Sequence, residues 1–213
     1  MLSALHIVSL QDEHTALWHG PAATAPAQPE DALDALVVEQ HRANFELWHE
    51  EDRARTPGAS DAVIAAVKRT IDCTNQRRND LAEEIDSLLL AKLEADGPTN
   101  ATAELHSETP GLMIDRLSIL SLKLFHTREE LARSDAPEGH GERNMARLHI
   151  LAQQRDDLAE CLDRLWQQVC AGRRRFKLYR QLKMYNDLAL NPAMYRADSG
   201  AGDGAPDDPL TAG

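Results

Sequence analysis

The chain is poor in everything that builds sheets, disulfides and membrane spans. Val and Ile together supply 13 of its 213 residues, against 31 Ala and 29 Leu. β-Branched residues suit pleated strands, whereas Ala and Leu favour helix, so this balance excludes a mainly β fold. The three cysteines, Cys73, Cys161 and Cys170, form no CxxC pair and are odd in number. That excludes a disulfide framework or zinc ribbon and points to free thiols in a reducing compartment. The first twenty residues, MLSALHIVSLQDEHTALWHG, lack a basic start and a long apolar run, so no signal peptide is expected. Apolar stretches such as Ser87 to Ala91 fall far short of the roughly 20 residues a membrane helix needs. Basic residues are also outnumbered, 23 Lys and Arg against 35 Asp and Glu, for a net charge of −12. A nucleic-acid binder needs clustered cations, so that class is excluded as well. There is no glycine-rich phosphate loop, GxSxG or HExxH, and hence no motif that names a reaction.

What the chain does have is helical periodicity between clear breakers. Gly20 to Pro29, Thr56 to Ser60, Gly97 to Gly111, Asp135 to Gly141 and the stretch from Asn191-Pro192 onward carry turn chemistry. Between them the spacing predicts helices over 31–55, 61–96, 111–133, 141–171 and 173–187, with a shorter one at 3–19. In the fourth run Leu148, Leu151, Arg155, Leu158, Leu162, Leu165 and Val169 recur at steps of three and four. Ile64, Val67, Ile71, Thr74, Arg78, Leu81, Ile85 and Leu88 do the same in the second. Ser60 before Asp61, and Thr109-Pro110 before Gly111, read as helix entries. The expected fold is all-α, an antiparallel bundle of five to six helices with a disordered C-terminal tail. Residues 1–30 are read as a short helix and linker, 31–196 as one helical domain, and 197–213 as the tail. Trp-His occurs twice, at Trp18-His19 and Trp48-His49.

Several apolar stripes are interrupted by polar residues. His41, Phe45, Trp48, Asp52 and Arg55 share one face. Arg78 sits in the Ile/Leu seam beside Asp72, Asn75 and Asn79, and Asp115, Ile119, Leu122 and His126 align with Arg116 and Lys123 nearby. Arg155 stands in the seam of the fourth run. A buried unpaired charge costs several kcal/mol, so such residues pair with each other or with a ligand. An internal ion and amide network is one reading. A pocket with an aromatic wall is the other, and the concentration of Trp, His, Asp, Asn and Arg favours it. The candidate ligand-binding set is Trp48, Asp52, Arg55, Asn75, Arg78, Asn79, Asp115, Arg116 and Lys123, with His49, Asp52 and Asp115 as candidate catalytic residues. Arg55, Arg78 and Arg116 against Asp52 and Asp115 leave one cation in excess for an anion, unless Glu51 or Asp80 cancels it.

Metal chemistry has less support. Glu46 and His49 make one ExxH, whereas a di-iron bundle needs two. His41, His49, Asp52, Asp115 and His126 hold an ion only if three converge, and Glu83 with Asp86 gives an ExxD common on solvated helices. No metal and no cofactor are therefore assigned. The segment RRRFKLYRQLK, Arg173 to Lys183, carries six cations in eleven residues. It reads as an amphipathic helix that pairs with the acidic surface or presents an anion site.

The blocks NFELWHEEDRAR (44–55), KRTIDCTNQRRNDLAEEID (68–86), ETPGLMIDRLSILSLKLFH (108–126), QRDDL (154–158) and YRQLKMYNDLALNP (179–192) resemble, in order, the bacterial family called Domain of Unknown Function 4254. Leu188 stands where that pattern has proline. LWHEEDRAR (47–55), RRND (77–80) and GLMIDRLSILSLK (111–123) are also similar to helices of a second uncharacterised family linked to glycosyltransferases. The first resemblance implies a cytoplasmic helical protein encoded near cell-envelope glycan biosynthesis genes, with no assigned catalytic residue.

Two functions lead this reading, and a metal-dependent phosphohydrolase holding Mg²⁺ on Glu83 and Asp86 stands well behind them. One is binding of, or action on, a phosphorylated sugar or nucleotide-sugar. The other is a non-enzymatic accessory protein that docks onto a glycan-assembly enzyme through the basic segment. Oligomeric state, including self-association, is left open by the sequence.

Overall fold

The computed structural model describes residues 2–20, 29–97, 100–182 and 189–192. Five helices account for most of them: α1 (Ala4–His19), α2 (Ala32–Ala54), α3 (Asp61–Asp96), α4 (Pro110–Ala132) and α5 (His140–Cys170). Two short strands, β1 (Glu104–Leu105) and β2 (Arg174–Arg175), pair in parallel, with Glu104 opposite Arg174. The all-α class follows from the composition, and four of the five helices, α1 to α4, start where a side-chain oxygen accepts a free amide, whereas α5 starts at Gly139 without one. Ser60 accepts from Val63, Thr109 from Leu112 with Pro110 at the first turn, and Asp31 from Leu33 and Asp34. α1 is secured from outside: its first amide, Ala4 N–H, donates to the Asp163 carboxylate of α5 at 2.8 Å.

α2 packs along α3 and α4 along α5, and α1 lies against α4, α2 and α5. The core contains Ile7, Val37, Ile85, Leu89, Ile114, Leu117 and Leu162, so every helix contributes to it. The α5 seam is buried from Leu151 through Leu158, Leu162 and Leu165 to Val169. In α3, Val67, Ile71, Thr74, Leu81 and Ile85 are buried, while Ile64 at the outer end stays exposed. A second, smaller cluster of Leu47, Val67 and Ile71 holds the far end of the α2–α3 pair.

Arg155 is tucked against α1 and donates to both oxygens of Asp12, at 2.8 and 3.1 Å. α4 lies close against α3 at Gly111, where a Cβ would overlap the Ala82 carbonyl oxygen. The same contact brings the buried Asp86 to the Gly111 amide at 2.7 Å. Asp86 therefore closes the start of α4 and does not face outward with Glu83 as a cation pair would require.

The helix expected over 173–187 does not form in its described part. α5 ends in a Schellman turn, with Gly172 at φ 66°. Arg173 N–H bonds to Gln168 O and Gly172 N–H to Val169 O, both at 2.9 Å. The left-handed glycine turns the chain out of the helix and into β2. There Arg174 meets Glu104 at 3.4 Å and Arg175 Nε donates to Ala103 O at 3.0 Å. Paired across a strand, these cations avoid the self-repulsion that six of them would suffer on one short helix. Residues 176–182 continue without helix. Positions 183–187, the linker at 21–28 and the tail expected at 197–213 lie outside the described residues. Residues up to Tyr179 form one compact unit. A second begins at Arg180, where Ala189 and Leu190 make a turn. Among the described residues no helix is long and apolar enough to cross a membrane.

Candidate functional site

A continuous polar chain runs through the middle of the bundle. Thr15 Oγ donates to Gln11 O at 2.8 Å, so its lone pair is left for His41 Nε2–H, also at 2.8 Å. His41 Nδ1 is then the acceptor and takes the Ser118 hydroxyl proton at 2.7 Å. Ser118 Oγ accepts from Asn44 Nδ2, which also reaches Asp115 Oδ1, both at 2.9 Å. Gln40 Nε2 donates to the same Asp115 oxygen, and Arg78 Nε lies 3.7 Å from it. Burial holds the His41 imidazole down to about 3, with His14 adding to the effect. Burial also pushes the Asp115 carboxyl up, while Arg78, Asn44 and Gln40 pull it down. His41 is fully spent on this chain, and Asp115 is held on three sides.

Trp48, Asp52, Arg55, Asn75 and Arg78 line one pocket of about 350 Å³, floored by Ile119 and Leu122. Asp115 stands behind Arg78, and Asn79 is buried one residue along α3, its amide oxygen 3.3 Å from Arg78 Nη2. Arg116 is not brought into this group. One residue past Asp115 turns it about 100° around α4, and it pairs instead with Glu108 at 2.6 Å. The cation excess expected here is absent, because Glu51 takes Arg55 at 2.6 Å and Asp115 faces Arg78. Arg78 Nε remains a buried donor without a hydrogen-bond partner. The three catalytic candidates do not assemble: Asp115 is interior, Asp52 is exposed on the last turn of α2, and His49 faces other histidines.

Two further grooves border α4 and α5. The larger, about 950 Å³, includes Arg116, Arg164 and Arg174, and each of these has its own carboxylate, Glu108, Glu160 and Glu104. The other, about 700 Å³, has Trp48 and His126 on one side and Lys123, Arg143 and Arg147 among its lining. Among the described residues no carboxylate lies within ion-pair distance of those three cations. Glu130, the acid of this lining, is shared by Arg133 at 3.2 Å and His140 at 3.0 Å. Asn144 Oδ1 accepts from Arg147 Nη1 at 2.8 Å and steadies it. Arg143 and Arg147 lie on the first turns of α5, where sequence periodicity marked only the apolar seam.

His19, His49 and His126 meet behind Trp48. One ring nitrogen of each lies within 4.8 Å of the other two. His19 comes from α1, outside the helices whose apolar stripes are interrupted by polar residues; the doubled Trp-His is its one trace in the sequence. Phe125 stacks on His19 at 4.3 Å, and Phe45 meets His49 edge-on at 4.5 Å. Burial holds His49 below the ordinary imidazole range; His19 and His126 add to this, and Asp52 and Glu129 oppose it.

No curated protein and no solved structure matches the chain. The family model described as a protein of unknown function (DUF4254) matches residues 34–178, from the first turn of α2 to just past β2. That span includes four of the five helices and both strands, and the chain belongs to the DUF4254 family.

Proposed function

We propose that this protein binds a phosphorylated sugar or nucleotide-sugar in cytoplasmic cell-envelope glycan assembly, in the groove between Trp48 and the start of α5. The observation that carries this reading is charge. Lys123, Arg143 and Arg147 line one groove, and its one acid, Glu130, is paired with Arg133 and His140 rather than with them, in a chain whose net charge is −12. Guanidinium pairs bind phosphate oxygens bidentately, and an indole edge supplies apolar contact for a sugar or base ring. The volume, about 700 Å³, suits a ligand of nucleotide-sugar size. The likeness of the ordered blocks to proteins encoded beside glycan genes supports the sugar component.

The test is calorimetry with glucose 1-phosphate and uridine-diphosphate glucose on the parent, Arg143→Gln and Arg147→Gln. Saturable binding that weakens at least about tenfold in either variant is expected, the effect of losing one charged hydrogen bond. Equal affinity in all three proteins, or none in the parent, would remove the ligand reading. The non-enzymatic docking protein would then stand in its place.

A further inference from the structure

We infer that His19, His49 and His126 form a binding site for one divalent first-row transition-metal ion, zinc foremost. This inference is independent of the ligand proposed for the groove.

Hydrogen bonding sets the direction of two of the three rings. His19 Nδ1–H donates to Thr15 O at 2.8 Å, and His126 Nδ1–H donates to Glu129 Oε2 at 2.7 Å. In each neutral imidazole the lone pair is then on Nε2. Both Nε2 atoms are buried and have no hydrogen-bond partner. An unsatisfied buried acceptor is costly, and here two occur on neighbouring rings of one cluster, their centroids 4.9 Å apart. Among the described residues no donor is placed to satisfy them. A metal ion would satisfy both, and the carbonyl and carboxylate on the far nitrogens are the partners that orient metal-bound histidines.

Three imidazole nitrogens around one zinc at about 2.1 Å stand roughly 3.4 Å apart. The observed limit of 4.8 Å closes to that through rotation of side chains by about an ångström. His49 is the ring able to make that movement, since no hydrogen bond holds it among the described residues. The donor set is all imidazole, which selects zinc, copper, nickel or cobalt over magnesium or calcium. Three protein ligands leave a fourth position for water or an anion, the arrangement of reactive zinc sites rather than structural ones. Phe45 and Phe125 pack around the rings and Trp48 covers the outer face of His126. They give the ion an apolar surround that strengthens its bonds to neutral nitrogen.

The experiment uses the full-length protein, stripped with chelator and titrated with zinc chloride by calorimetry and with cobalt chloride by visible absorption. One ion per chain is expected, with the ligand-field bands of a four- or five-coordinate cobalt. His19→Gln and His126→Gln should lose binding, and His149→Gln, on the exposed face of α5, should retain it. Glu129→Gln, a change at an exposed carboxylate, should weaken zinc binding at least about tenfold while leaving the apo fold intact by circular dichroism. Absence of stoichiometric zinc binding in the parent, or unchanged affinity in Glu129→Gln together with retained binding in the two histidine variants, would overturn the site.

Discussion

Trp48 lies flat on His126, with ring centroids 4.6 Å apart and 9° between their planes. One face of the indole is therefore committed to a histidine of the three-ring cluster, while its edges border both the small pocket and the cationic groove. A single side chain of α2 thus joins three features that the helices bring from separate parts of the chain.

This position makes Trp48 a reporter. Ligand filling the groove is expected to shift the Trp48 emission, and Trp48→Phe should abolish the shift while Trp18 and Trp166 still fluoresce. A shift that survives in Trp48→Phe would place the ligand elsewhere.

Arg155→Ala should destabilise the fold by about 1–2 kcal/mol, less than a fully buried pair would, because Asp12 is partly exposed and can rehydrate. Arg155→Met keeps the buried stem and should lose less. Urea midpoints of the two variants against the parent decide this; equal losses would mean that the ion pair, not the packing, dominates.

Gly111→Ala should cost about 2 kcal/mol or more, since the new methyl meets the backbone oxygen of Ala82 rather than a side chain that can move. The control is Gly141→Ala, where nothing stands within contact distance of a Cβ. Gly141→Ala should hold or raise the thermal midpoint, since Ala is the better helix former, and a midpoint lowered equally in both variants would show that the α3–α4 contact is not responsible.

Two buried groups set opposite pH trends. Burial first, and His14 next, depress His41 from 6.5 to about 3. In that window the unfolded chain takes up a proton that the folded chain refuses, so stability falls as pH drops below 6.5. Burial, with Glu83 in support, raises Asp86 from 3.8 to about 6 against the pull of Thr109 and Gly111. There the folded chain holds a proton that the unfolded chain releases, and stability falls as pH rises from 3.8 to 6. Each group contributes a slope of up to about 1.4 kcal/mol per pH unit. Urea unfolding between pH 4 and 6 should therefore show a steeper acid loss in Asp86→Asn and a shallower one in His41→Gln. The reverse order would refute both assignments.

Much of the fold was legible because its signals are local. Ser60 and Thr109 mark helix starts within four residues, and the α5 seam declares its buried face by spacing alone. Arg155 replacing a leucine in that seam was enough to predict a carboxylate partner, though not that Asp12 of α1 would supply it. The convergence of side chains was less legible, because it depends on the rotation of one helix against another. Asp115 and Arg116 are neighbours in the chain, yet one faces the interior and the other an outer groove. His19 was hidden by its place in a segment read as separate from the domain. The β1–β2 pair has two residues a side, too few to show an alternating pattern, and the cation run of Arg173 to Lys183 looked helical until Gly172 redirected it.

That small strand pair has a consequence for how the chain assembles. Glu104 and Arg174 are 70 residues apart, so the clasp closes a ring that contains all of α4 and α5. Bringing the ends of a flexible segment of that length together costs about 4 kcal/mol in chain entropy, which two strands of two residues do not supply. The ring can close only after the α4–α5 hairpin has formed and shortened the gap. The clasp therefore forms after that hairpin in folding and opens before it in unfolding, and the His106 amide bonded to Arg175 O should exchange its hydrogen well before those of the α4 and α5 interiors.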